Sequence, residues 1–132
     1  DYLAEAGIRY IADWLVDDEP VAVQTAHGPV LGMPYSLELN DIAMMMVQHH
    51  AAAEFESRCA DQFERLYEEG RTRAKIMAIA LHPYISGVPH RIKYIERVFR
   101  KLRKQKGVVF WTGEQIMQWY QRATRAPAQR RR

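Results

Sequence analysis

Three stretches of the chain are apolar for longer than a solvent-facing segment tolerates. They are Ile8–Trp14, broken only by Arg9 and Asp13, then Ile76–Leu81 (IMAIAL), and then Val108–Trp111 (VVFW). Continuous apolar runs of this length predict strands covered on both faces, as in parallel sheets, and the third is rich in β-branched and aromatic residues. Helical periodicity fills the intervals. Ala53–Glu69 puts Phe55, Cys59, Phe63, Leu66 and Tyr67 on one face and ends at Gly70. Pro89–Lys106 opens with a proline in its first turn, lines up Ile92, Ile95, Phe99 and Leu102, and stops at Gly107. A third helix starts at Thr112, whose hydroxyl and Gln115 form a capping box, with Ile116, Met117 and Tyr120 facing inward. Val21–Leu39, punctuated by Gly28, Pro29, Gly32 and Pro34, reads as irregular extended chain.

The order strand, irregular segment, helix, strand, helix, strand, helix predicts an α/β fold with parallel strands and right-handed crossovers. The pattern alone does not separate an open doubly wound sheet from a barrel. The 132 residues suffice for one domain with a modest core. Two features suggest part of a larger protein: there is no initiator Met, and Asp1–Gly7 reads as the tail of a helix closing on a glycine.

Composition narrows the classes. Cys59 is the only cysteine, which excludes an intrachain disulfide and thiolate zinc clusters; on an apolar helix face it reads as a small core residue. No apolar run approaches the roughly 20 residues that span a bilayer. The net charge of +3 comes from the C-terminus: without Arg122, Arg125, Arg130, Arg131 and Arg132 the body is slightly acidic. Residues 1–124 are read as one partial domain and 125–132 as a basic disordered tail. The compartment is weakly constrained, with the cytoplasm as the default.

In α/β folds functional groups collect at the carboxyl ends of strands. Those ends here are Asp13-Trp14, running into Asp17-Asp18-Glu19; Leu81-His82-Pro83-Tyr84; and Trp111-Thr112-Gly113-Glu114. The irregular segment adds Pro34-Tyr35-Ser36 and Asn40-Asp41. His82 is the sharpest candidate, because an imidazole titrates near neutral pH and can hand a proton to a leaving group. Its bland counterpart is a histidine that only hydrogen-bonds a strand end. Asp13 is a candidate orienter that would fix its tautomer and raise its pKa, a pairing the sequence leaves open. The acidic turn 17–19 is more simply a solvated loop than a cation site. His49 and His50 are adjacent and point apart, and His27 and His90 sit where turn and surface roles are the default.

The stretch Ala78-Ile79-Ala80-Leu81-His82-Pro83-Tyr84-Ile85-Ser86-Gly87, followed by Pro89-His90-Arg91-Ile92, closely resembles the last catalytic block of the polysaccharide deacetylase (NodB-homology) superfamily. It looks most like the branch with allantoinase-like and cyclic-imide-hydrolase-like members. Ile8–Trp14 with Asp17-Asp18 resembles that family's fourth block, and Pro34–Asp41 (PYSLELND) is similar to a segment typical of the branch. The resemblance runs from about Asp1 to Tyr120. It implies the C-terminal half of a distorted (β/α) barrel, usually of seven strands, and hydrolysis of a non-peptide C–N bond in an N-acetyl amino sugar or a cyclic amide. It makes His82 the general acid for the leaving nitrogen, Asp13 the carboxylate that orients it, and Trp14 and Tyr84 pocket residues, with Asn40 and Asp41 as substrate contacts; Tyr35 and Trp111 are further pocket candidates by their aromatic character alone. A divalent metal, zinc foremost, is usual in the family's complete domain, although some allantoinase-like members do without one. The family's metal-binding Asp and His-x-x-x-His belong to earlier blocks, and neither occurs here at a matching position.

A second class is nucleic-acid binding, through Arg91, Lys93, Arg97, Arg100, Lys101, Arg103, Lys104 and Lys106 on one helix. Glu96 interrupts that series, and the apolar stripe of the same helix is needed for the core. The expected partners are therefore a small-molecule or amino-sugar substrate, with neither nucleic acid nor membrane. A half barrel exposes strand edges and apolar inner faces, so a homo-oligomer is the expected state.

Overall fold

The computed structural model describes residues 1–125. The order is α1 (Tyr2–Glu5), β1 (Tyr10–Ile11), β2 (Val21–Val23), β3 (Val30–Gly32), a π-helical turn (Ile42–Val47), α2 (Ala52–Glu69), α3 (Pro83–Ser86), α4 (Pro89–Leu102) and α5 (Gly113–Arg125). The expected tail lies outside the described residues, except that Arg125 closes α5.

The three strands form a mixed sheet with β3 in the middle. β1 runs parallel to β3, pairing Tyr10 with Leu31 and Ile11 with Gly32. β2 runs antiparallel, pairing Val21 with Gly32 and Val23 with Val30. Val30, Leu31 and Gly32 are all buried, as a central strand requires. The irregular segment of the sequence thus supplies two of the three strands, because a short hairpin carries its own partner.

Two predicted strands are not strands here. Ile76–Leu81 is irregular and only half-buried; it forms one parallel bridge, Asn40 with Ala80, and Ile76 adds a lone backbone bond to Asp18. Val108–Trp111 is extended but unpaired among the described residues, and Val109 is 61% exposed. A strand needs neighbouring backbone for its N–H and C=O groups, and no described segment pairs with this one.

The helices follow their patterns closely. α2 buries Phe55, Cys59 and Leu66, one stripe of the predicted face, while Tyr67 reaches out to donate to the Lys106 carbonyl at 2.9 Å. α4 opens on Pro89 and buries Ile95, Val98 and Leu102. It ends four residues short of Lys106, in turns that lead to Gly107 at φ 82°, a left-handed conformation suited to glycine. The capping box at α5 forms as expected: Thr112 N–H donates to Gln115 Oε1 at 2.8 Å, and Gln115 N–H to Thr112 Oγ1 at 3.3 Å.

These elements pack around two apolar clusters. The larger joins Leu39, Met44 and Met45 to Phe55 and Cys59 of α2, Ile85 of α3, and Ile95, Val98 and Leu102 of α4. The smaller sets Met117 of α5 against Leu31 of β3 and Met33 just after it. Burial lifts the Cys59 thiol to a pKa of about 12, despite a small opposing effect of Arg58, so it behaves as a core residue. Charge secures the segment before the bridge: Glu19 accepts from Lys75 at 2.8 Å and from Arg73, and Ile76 N–H donates to the Asp18 carbonyl at 2.9 Å. The Asp17–Glu19 turn is therefore in part a tether for residues 73–76. No described helix is long and apolar enough to cross a membrane.

Candidate active site

The bridge between Asn40 and Ala80 is what builds the site. Ala80 N–H donates to the Leu39 carbonyl at 2.9 Å, and Asp41 N–H to the Ala80 carbonyl at 3.2 Å. Residues 40–41 are thereby held beside 80–82, forty positions on in the chain. The approach is shaped locally by Ser36, whose Oγ accepts from Leu39 N–H at 2.9 Å. Asn40 Oδ1 then accepts from Ile42 and Ala43 N–H, starting the π-helical turn, and its Nδ2 donates to the Tyr35 hydroxyl at 3.0 Å.

His82 precedes Pro83, and the proline ring disfavours helical backbone at the residue before it. His82 is accordingly extended, at φ −115° and ψ 120°, and Pro83 starts the single turn of α3. The His82 carbonyl accepts from Ile85 and Ser86 N–H at 2.9 and 3.0 Å. The histidine is thus held at the mouth of a one-turn helix, with its side chain one-third exposed.

Beneath it lies Asp41, 0% exposed. Asp41 Oδ1 is 2.7 Å from His82 Nδ1, and Oδ2 accepts from His82 N–H at 2.8 Å and from Ser86 Oγ at 2.6 Å. Burial alone would raise the Asp41 carboxyl. The hydrogen bonds from His82 N–H, the Ser86 hydroxyl and the His82 ring outweigh it and hold the group below the ordinary carboxylate range. An ionised carboxylate only accepts, so Nδ1 carries the proton. Nε2 is then a lone pair in the neutral ring and an N–H in the imidazolium, so one nitrogen can take up or deliver a proton.

Three of the expected site residues are placed differently from what their expected roles require. The carboxylate on His82 Nδ1 is Asp41 and not Asp13, which lies exposed beyond β1 and makes no hydrogen bond to His82 among the described residues. The pairing is made across the Asn40–Ala80 bridge, which the order of strands in the sequence does not reveal. Asp41, expected as a substrate contact, is fully buried with both its oxygens bonded to His82 and Ser86. Asn40 is likewise 6% exposed, with its amide committed to the π-helical turn and to Tyr35. The other expected pocket residues differ in placement. Tyr84 is 70% exposed, with its ring edge-on to the imidazole at 5.6 Å. Tyr35 is half-buried, and Trp14, about half exposed, is not among the rings packed on His82.

Sequence reasoning names Asp41 only as a substrate contact and Ser86 only as part of the block around His82, and pairs neither with the other. Both left a signal. Asp41 runs straight into the apolar stretch Ile42–Val47, and a carboxylate drawn into a core must be paired. Ser86 stands four residues after His82 across a proline-initiated turn, the spacing that stacks two positions on one helical face. Among the described residues no group of three or more His, Cys, Asp or Glu side chains is placed to hold a metal ion. The divalent ion that the resemblance implies therefore finds no donor set in this part of the chain.

No family model matches the sequence. A putative polysaccharide deacetylase of Schizosaccharomyces pombe is 34% identical over 91 residues, which cover 67% of this chain and 28% of that protein. The fold matches the crystal structure of a probable polysaccharide deacetylase from Pseudomonas aeruginosa PAO1, with a TM-score of 0.84 and 33% identity. It matches that of PuuE allantoinase with the same TM-score and 26% identity. Each structural match takes in 92% of this chain and 41% of the other. The chain thus spans less than half the length of the relatives it resembles. The expected α/β fold of the NodB type is borne out by these matches, and by sequence and fold together the chain belongs to the polysaccharide deacetylase superfamily.

Proposed function

We propose that this chain carries the proton-donating part of a hydrolase that cleaves non-peptide C–N bonds, with His82 as general acid and Asp41 as the residue that positions it. The observation that carries this reading is the 2.7 Å contact between a fully buried Asp41 carboxylate and His82 Nδ1. Water adds to the amide carbonyl to give a tetrahedral intermediate, and collapse breaks the C–N bond. The departing nitrogen leaves as a neutral amine only if it gains a proton, which His82 Nε2 supplies. The buried carboxylate stabilises the imidazolium before transfer and fixes the tautomer after it.

The names of the relatives support two substrate classes, an N-acetylated sugar polymer and a cyclic amide. Tyr84 offers an exposed aromatic face beside the imidazole, suited to a flat amide or the apolar side of a sugar ring. Trp14 and Tyr35 are proposed as further pocket residues. In the complete protein, His82→Ala should lower turnover by about 10²–10⁴-fold while leaving the fold intact. Acetate release from N-acetylglucosamine oligomers and ring opening of allantoin, assayed side by side, separate the two classes. Wild-type turnover on both by the His82 variant would sink the assignment.

A further inference from the structure

We propose that Ser86 is a positioning residue for His82: its hydroxyl, 2.6 Å from Asp41 Oδ2, holds the carboxylate turned toward the imidazole and sets how firmly His82 keeps its proton. The inference rests on the proton-donor reading of His82 and adds the group that tunes it.

A carboxylate turns with little resistance about its last torsion, so burial alone does not decide which oxygen faces the ring. Here the assignment follows from the donors. Oδ2 accepts twice, from His82 N–H and from the Ser86 hydroxyl, which leaves Oδ1 for Nδ1. Ser86 is 3% exposed and its backbone N–H donates to the His82 carbonyl, so one residue fastens both His82 and its partner. A serine inside a helix ordinarily bonds its hydroxyl to the carbonyl four residues back. That carbonyl belongs to His82 and is already taken by the backbone N–H of Ser86 and of Ile85. The hydroxyl reaches across to residue 41 instead.

Its direction is also settled, because an ionised carboxylate can only accept. A hydroxyl donating to the carboxylate draws charge from it and weakens its hold on the imidazolium. Removing the hydroxyl should strengthen that hold. Few other groups compete among the described residues. Tyr84 stands edge-on to the ring, and Arg91 beyond α3 donates to the Ile85 carbonyl at 3.3 Å.

The test uses the complete protein, labelled at histidine, with the His82 ring titrated by NMR and kcat/KM followed against pH. Ser86→Ala should raise the pH of half-protonation by about half a unit and carry the alkaline limb of kcat/KM with it. Ser86→Thr keeps the hydroxyl and should stay at the wild-type position. Ser86→Cys keeps the atom's place with a weaker donor, should move part of the way, and stands in if the alanine variant does not fold. A titration unmoved in the alanine and cysteine variants, or moved equally in the threonine variant, overturns the proposal. Turnover that survives His82→Ala would overturn the proton-donor reading instead and leave the titrations as measured, so the two failures are distinguishable.

Discussion

Asp41 holds His82 at two points, receiving the backbone N–H on one carboxylate oxygen and the ring Nδ1–H on the other. The double contact fixes the position of the residue and the orientation of its ring together. A histidine on an exposed loop would have to lose rotamer freedom on meeting substrate; this one has lost it on folding.

Replacing the carboxylate by its neutral isostere separates charge from shape. Asp41→Asn keeps the volume but cannot stabilise an imidazolium, and its amide can present a donor to Nδ1 and so force the other tautomer. In the complete protein the turnover should fall by about 10²-fold or more, with little change in KM. Steady-state kinetics beside a circular dichroism spectrum check this, and an unchanged kcat in a folded variant would show that the charge is not used.

The same carboxylate makes folding sensitive to acid. Its folded pKa lies below the unfolded value, so its contribution is complete above the ordinary carboxylate range and is lost as the pH falls toward the folded value. Asp18 runs the other way, because burial outweighs the nearby Lys75 and raises its pKa. Urea midpoints taken between about pH 6 and pH 2.5 should fall more steeply in the wild type than in Asp41→Asn. Parallel curves would mean that Asp41 is not the group lost.

Gly87 closes α3 where there is no room for a side chain. A Cβ there would stand 2.4 Å from the Pro83 carbonyl oxygen, a backbone atom that cannot move aside without opening the turn. Gly87→Ala should therefore displace Ser86 and loosen His82. The expected cost is about 1–3 kcal/mol in stability, with a kcat loss larger than the change in melting temperature would suggest. Chemical denaturation alongside kinetics reads both, and a neutral result in each would show that the turn relaxes freely.

The sequence predicts the helices well because their signals are local. Thr112 with Gln115, Pro89 at the head of α4, and the Phe55–Cys59–Leu66 stripe each lie within a few residues of what they control. Strands are harder to read, since a run such as Val108–Trp111 shows what the side chains prefer but not whether a partner backbone is present. The site divides along the same line. His82 stands out through its neighbours Leu81 and Pro83. Its partner comes from 41 positions away and is chosen by the Asn40–Ala80 bridge, so Asp13, equally acidic and at an equally plausible strand end, could not be told from Asp41.

That bridge has a consequence for any preparation of the protein. Side chains alternate faces along extended backbone, so pairing displaced by one residue would turn the extended His82 away from Asp41. Such a molecule would keep its helices yet lack the contact between Asp41 and His82. The intensity of the paired His82 ring signal in an NMR spectrum would then count the chains that settled into the right alignment, and two batches of equal purity could differ in it by their refolding history alone.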